Sequence, residues 1–169
     1  MMTVYIMRGI PGSGKSSIVK QLAMEDTTSS NLSSVSADYY FEDINTGEYK
    51  FDPTKLEEAH AECLRQFIAL VMFQSEENST VFVDNTNMLL WQLTPYLSIA
   101  KAYGCNIKIV EVFCDVLVAW KRCTHNVPLE VIERMANHYE PIPYKWINKT
   151  NVEFIWVDAT NPNNLIWRK

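Results

Sequence analysis

A chain of 169 residues, 47% hydrophobic and 21% charged, has the length and composition of one domain (1–169) with a buried core, and is too short for two. Its net charge of −5 excludes a protein that coats nucleic acid by charge alone, while a slight basic excess between Lys101 and Lys149 suits a small phosphate site. No apolar run approaches the ~18 residues of a membrane span and no leader pattern opens the chain, so a cytoplasmic protein with no membrane partner is expected.

Residues 3 to 8, TVYIMR, read as a buried strand. GIPGSGKSS follows at residues 9 to 17, and its spacing from Gly9 through four residues to Gly14, Lys15 and Ser16 is the Walker A pattern. Glycines let the backbone curl with its N–H groups inward, and a helix starting there adds its positive dipole end, making an anion nest for a nucleotide phosphate. Gly9, Pro11, Gly12, Ser13, Gly14, Lys15, Ser16 and Ser17 are the expected ATP-binding residues. Lys15 would reach the β- and γ-phosphates, and the Ser16 hydroxyl would ligate Mg2+.

The helix expected from Gly14 to about Glu25 gives way to a polar loop over 26–34. SSVSAD then reads as a short second strand ending at Asp38. The aromatic stretch YYFEDINTGEYKFDP ends in a helix start, because Asp52 is a good cap and Pro53 suits the first helical position. From Thr54 to Phe73 apolar residues recur at helical intervals. STVFVD, 79–84, is a strand closed by an acid, and Asn85 to Asn87 form its exit loop. A helix is expected from about Leu90 to Tyr103, with Gly104 as its stop. NIKIVEVF is the fourth strand, a short helix after Asp115 carries Lys121 and Arg122, PLEVIERMANHYE forms another helix before Pro141, and NVEFIWVD supplies a fifth strand. Cys63, Cys105, Cys114 and Cys123 lack C-x-x-C spacing and read as reduced thiols, and neither His60 with Cys63 nor Cys123 with His125 has a second half at zinc-site spacing.

Strands alternating with helices imply an α/β fold with a parallel sheet, whose ligands gather at the carboxyl ends of the strands. That rule brings the Gly9–Ser16 loop, Asp38, Asp84 and Asp115 to one edge. Asp38 could accept the proton of an attacking hydroxyl, or merely cap a turn. Asp84 sits where a Walker B acid holds magnesium, although a strand-end acid can also cap the following turn. Asn85, Thr86 and Asn87 suit either fixing a substrate or bracing the loop. Arg122 and Arg134 flank the turn CTHNVPLE, where arginines could close over ATP or lie solvated on helix faces. The rings between Tyr39 and Phe51 could stack on a planar ligand, but packing under the following helix is the preferred reading.

Taken in order, MRGIPGSGKS, SADYYF, VFVDNTN, AYGCNIKIVEVF and KRCTHNVPLEVIERM resemble the P-loop kinases related to phage polynucleotide 5′-kinase, in a kinase-only, AAA_33-like form. The resemblance implies a P-loop NTPase fold, adenylate-kinase-like with parallel sheet, flanking helices and a lid. It also implies catalytic roles for Lys15, Asp38 as general base, Arg122 as a lid arginine and, more weakly, Arg134, with Ser16 and Asp84 at the metal. The implied acceptor is the 5′-hydroxyl of a nucleic-acid end; a small hydroxylated metabolite or nucleoside is the alternative, and a nucleotide-binding module without transfer activity is the alternative from another class. In two respects the sequence departs from the phage enzymes. No arginine follows Asp38 among Tyr39, Tyr40, Phe41, Glu42 and Asp43, and a kinase-only form is expected, without the phosphatase domain of the phage repair enzyme after Asp158.

Overall fold

The computed structural model describes residues 1–73, 78–143, 146 and 152–168. Lys145, Lys149 and Asn151, which the sequence placed in the basic segment and the fifth strand, lie outside the described residues. Six strands are present among those described: β1 (Thr3–Arg8), β2 (Asn31–Val35), β3 (Ser79–Val83), β4 (Asn106–Phe113), β5 (Val152–Asp158) and β6 (Ile166–Arg168). They form one sheet in the order β2-β3-β1-β4-β5-β6, parallel throughout except for β6.

Both faces of this sheet are buried, and β1 shows why. Val4 and Ile6 point to one face, against α2 (Leu56–Phe73) and α3 (Leu90–Ala102), where Phe67, Val71, Leu93 and Leu97 complete the packing. Tyr5 and Met7 point to the other, against Ile18 and Val19 of α1 (Lys15–Glu25). Tyr5 stacks on Phe82 of β3 with ring centroids 4.9 Å apart. Apolar residues at every position of a strand thus mark a two-sided core, and each fully buried side chain of this size contributes about 1.5–3 kcal/mol. A third cluster, Ile10, Met88, Cys114, Ala119 and Ile132, lies at the carboxyl edge of the sheet beneath α4 (Val116–Arg122) and α5 (Leu129–Asn137).

Some boundaries differ from those read in the sequence. The second strand begins earlier, at Asn31, and stops at Val35 instead of running to Asp38. Ser36 ends it: its hydroxyl accepts from the Asp38 N–H (3.2 Å) and caps a 3-10 turn over Ala37–Phe41. The helix read from PLEVIERMANHYE ends at Asn137 rather than continuing to Glu140, because the Glu140 backbone is drawn onto Met88 O and the Arg8 guanidinium. Strand β6 was not foreseen; three residues are too few to carry a period. The four cysteines are free thiols.

Candidate active site

The loop between β1 and α1 packs so closely that two of its glycines admit no side chain. At Gly9 (φ +151°) an added Cβ would lie 2.5 Å from the Val112 carbonyl oxygen and 2.7 Å from Ser13 Oγ. At Gly12 (φ +75°) it would fall on the Ala119 carbonyl oxygen, because the end of α4 rests on the loop. The Gly9 N–H donates to Thr86 O (2.9 Å), tying the loop to the exit of β3. Helix α1 starts after Gly14 with neither a side-chain cap nor an acid in its first turn. Its start is therefore not occupied by a capping side chain or an acid of its own first turn, which leaves the positive end of its dipole open to an anion.

Lys15 is buried, and its Nζ donates to the carbonyls of Gly9 and Ile10 at 3.0 Å each. Burial lowers its pKa, while the nearby charges of Asp84 and then Asp38 oppose that shift. Pro11 is half-buried in the loop, and the Ser16 and Ser17 hydroxyls face solvent at the start of α1. Ser13 Oγ and Asp84 Oδ1 are buried without a hydrogen-bond partner among the described residues. Leaving such a group unmatched costs about 1–3 kcal/mol, more for a charge, so these two atoms call for an explanation that the fold itself does not supply. Asp84 Oδ1 is an oxygen donor of the kind a hard cation such as Mg2+ takes, and Ser16, exposed at the start of α1, carries a second donor of that kind.

Asp38 is held over this loop by β3. The Ser36 hydroxyl donates to Asp84 O (2.9 Å), and Asn85 Oδ1 accepts from Ala37 N–H (2.9 Å). The Asp38 side chain stays half exposed. Its Oδ1 accepts from the Tyr49 hydroxyl (3.1 Å), and its Oδ2 faces His125 Nε2 across 3.9 Å. Nothing in the sequence pointed to either Tyr49 or His125 meeting Asp38. Asn85 and Asn87 turn out to brace the exit loop: both are buried, Asn85 Nδ2 points at Cys63 Sγ and Tyr96 Oη (3.3 Å each), and Asn87 Nδ2 donates to Met7 O (2.9 Å). The rings after Asp38 mostly pack on one another, with Tyr40, Tyr49 and Phe51 set edge-on around the buried Phe41. Asp115 caps α4, its Oδ1 accepting from Leu117 and Val118 N–H.

The two arginines do not converge. Arg122 ends α4 and turns back onto the carbonyls of Ala159 (2.7 Å) and Thr160 (2.5 Å) after β5. Arg134 is exposed on α5 and lines a cavity of about 270 Å³ with Met88, Leu89, Gln92, Met135 and His138.

A family model described as an AAA domain, AAA_33, matches residues 4–142. The chain belongs to the AAA_33 family. This AAA_33 chain is 33% identical over 147 residues to human NEDD4-binding protein 2, a match covering 82% of the chain and 8% of that protein. It thus spans only a small part of that relative's length. Its P-loop kinase-like fold is shared by Kti12 of Chaetomium thermophilum, solved with ADP-AlF3, at TM-score 0.62 and 16% identity over 89% of this chain and 87% of that one. It is shared also by the Mycobacterium tuberculosis APS kinase CysC, solved with AMPPNP and APS, at TM-score 0.56 and 17% identity over 93% and 87% of the two chains.

Proposed function

We propose that this AAA_33 domain is an ATP-dependent phosphotransferase that moves the γ-phosphate to a hydroxyl, with the 5′-hydroxyl of a polynucleotide as acceptor. The observation that carries the reading is Asp38: a half-exposed carboxylate, anchored to the exit of β3, whose charge acts on the loop lysine and whose Oδ2 makes no close hydrogen bond among the described residues. A module that only binds nucleotide has no use for such a group.

In the reaction proposed, Lys15 exchanges the Gly9 and Ile10 carbonyls for phosphate oxygens, and the first N–H groups of α1 hold the phosphate chain in place. Mg2+, held by Ser16 and Asp84, would supply positive charge to the phosphate oxygens. Asp38 Oδ2 takes the acceptor's hydroxyl proton as the acceptor oxygen bonds to the γ-phosphorus. The bond from γ-phosphorus to the β–γ bridging oxygen breaks, and its electron pair leaves with ADP. A small hydroxylated metabolite is the second reading, favoured by the absence of a cation from Tyr39 to Asp43 and by the net charge of −5.

Transfer from γ-labelled ATP to 5′-hydroxyl RNA, 5′-hydroxyl DNA, nucleosides and small polyols, compared between wild type and Asp38→Asn, tests both. An amide cannot accept the proton, so transfer should fall by roughly 10² or more while ATP affinity holds. Equal transfer by the two proteins would reduce Asp38 to a turn cap. Lost ATP binding would make it a magnesium ligand.

A further inference from the structure

Three separate segments meet at the Asp38 carboxylate. The 3-10 turn Ala37–Phe41 carries it. A small hairpin brings Tyr49: Glu42 and Tyr49 pair antiparallel, Asp43 N–H donates to Glu48 O (2.9 Å), Gly47 N–H to Asp43 O (2.7 Å) and Lys50 N–H to Phe41 O (2.9 Å). The third segment is the turn between α4 and α5, which brings His125. Asn126, next to it, takes a left-handed φ of +52°, a conformation asparagine tolerates better than most residues, and the chain reverses there. The His125 ring lies on the Tyr49 ring with centroids 4.1 Å apart.

We propose that Tyr49 and His125 are positioning residues that hold the Asp38 carboxylate in one orientation, so that the base is set only when the α4–α5 turn lies against it; this rests on the base assignment above. Tyr49 fixes Oδ1. Burial and then the charge of Asp38 raise the Tyr49 phenol well above the ordinary tyrosine range, so it keeps its proton and remains a donor. Its ring meets Phe41 edge-on, with centroids 6.1 Å apart, and the tilted His125 ring at 4.1 Å. His125 Nε2 at 3.9 Å from Oδ2 is beyond hydrogen-bond reach, so Oδ2 keeps its lone pairs for the acceptor's proton. The imidazole closes one side of the carboxylate without consuming its basicity. The turn that carries it follows α4, whose Ala119 carbonyl lies against Gly12, so the element that places His125 is docked on the phosphate loop itself.

The test has one arm that needs no turnover. Three-bond NMR couplings about Asp38 χ1 should report a single rotamer in wild type and rotamer averaging in Tyr49→Phe and in His125→Ala. His125→Phe keeps the ring stack and should restore the single rotamer, and it also serves if the alanine variant folds poorly. In single-turnover assays the first two variants should lose transfer by about ten- to a hundredfold, the cost of a base displaced by about 1 Å. ATP affinity should change far less, and a larger share of the γ-phosphate should go to water. A single Asp38 rotamer in both variants overturns the proposal whatever the activity, as does rotamer averaging with transfer unchanged. Averaging in a protein whose wild type phosphorylates no acceptor upholds the positioning role and removes the base assignment instead.

Discussion

Lys15 illustrates how a residue that is costly to the fold can suit the chemistry proposed for it. Its ammonium is buried on two loop carbonyls, and burial disfavours the charged form that a phosphate requires. The charges of Asp84 and Asp38 offset part of that cost, and a phosphate chain would offset more. Lys15→Ala should therefore leave the melting temperature within a few degrees of wild type while weakening ATP binding and cutting transfer by about 10² or more, the scale of a lost transition-state charge partner. Calorimetry beside single-turnover kinetics checks both halves, and near-normal turnover in a folded variant would remove the nucleotide role. Lys15 and the glycines were legible because the loop's chemistry lives in contiguous spacing. Asp38 and Asp84 were legible because strand ends in an α/β sheet share an edge. Tyr49 and His125 were not, since their meeting at Asp38 depends on a hairpin and a turn with no period to betray them. Nor could spacing tell which way the guanidinium at the end of α4 would turn.

At the scale of elements, Arg122 is a tie between α4 and the loop after β5. Hydrogen bonds from a charged donor contribute about 1.5–3 kcal/mol each, partly offset when the freed carbonyls can reach water, as Thr160 can. Arg122→Ala should lower unfolding stability by about 1–3 kcal/mol in denaturant titration, and its loss of turnover should exceed its loss of ATP affinity if α4 also orders the turn holding His125. An effect on stability alone would leave Arg122 a structural tie. Asp26 plays a comparable part between the end of α1 and β3. Burial pushes its carboxyl up, but hydrogen bonds from Ser29, Thr80 and Thr28 outweigh this and hold it well below the usual carboxylate range. With the folded pKa depressed, its contribution is complete above the unfolded value of ~3.9 and lost as pH falls through the folded one. Asp26→Asn should therefore destabilise more at pH 7 than at pH 3, which urea unfolding at the two pH values reads directly. The central strands were plain in the sequence because burial on both faces makes every position apolar. Strand β2 was displaced by a few residues because it is an edge strand of polar composition, NLSSV, and only the Ser36 cap defines its end.

Across the whole molecule, one fully buried arginine connects the parts that must act together. Arg8 leaves the end of β1 and donates to Asn87 O (2.7 Å) and Met88 O (2.9 Å) in the β3 exit loop, to Glu140 O (2.8 Å) after α5, and to Glu111 of β4 (3.3 Å). Tyr139 lies against its guanidinium and donates its hydroxyl to Glu111. The sheet, the loop beside the phosphate site and the base of the α4–α5 segment thus share one hydrogen-bonded centre. The sequence showed only an arginine before the glycine loop, with nothing to say that it pointed inward. Removing one partner of a buried pair leaves the other charge uncompensated, which costs about 3–5 kcal/mol, whereas removing both can be nearly neutral. Arg8→Met should accordingly lose about that much unfolding free energy, and adding Glu111→Gln should recover part of it. Three freed carbonyls, at Asn87, Met88 and Glu140, will keep the recovery incomplete. The same centre has an alkaline limit. Burial and then the hydrogen bond to Glu111 push the Tyr139 phenol up to about 12. A phenol that holds its proton more tightly folded than unfolded contributes stability that is complete below its unfolded value of ~10 and is lost as pH rises through the folded one. Tyr139→Phe should flatten the fall in denaturant midpoint between pH 10 and 12 relative to wild type. Tyr49 and Tyr96 are raised as well, so some slope will survive in the variant. An unaltered slope would mean that Tyr139 does not titrate with folding and that the contact to Glu111 is packing alone.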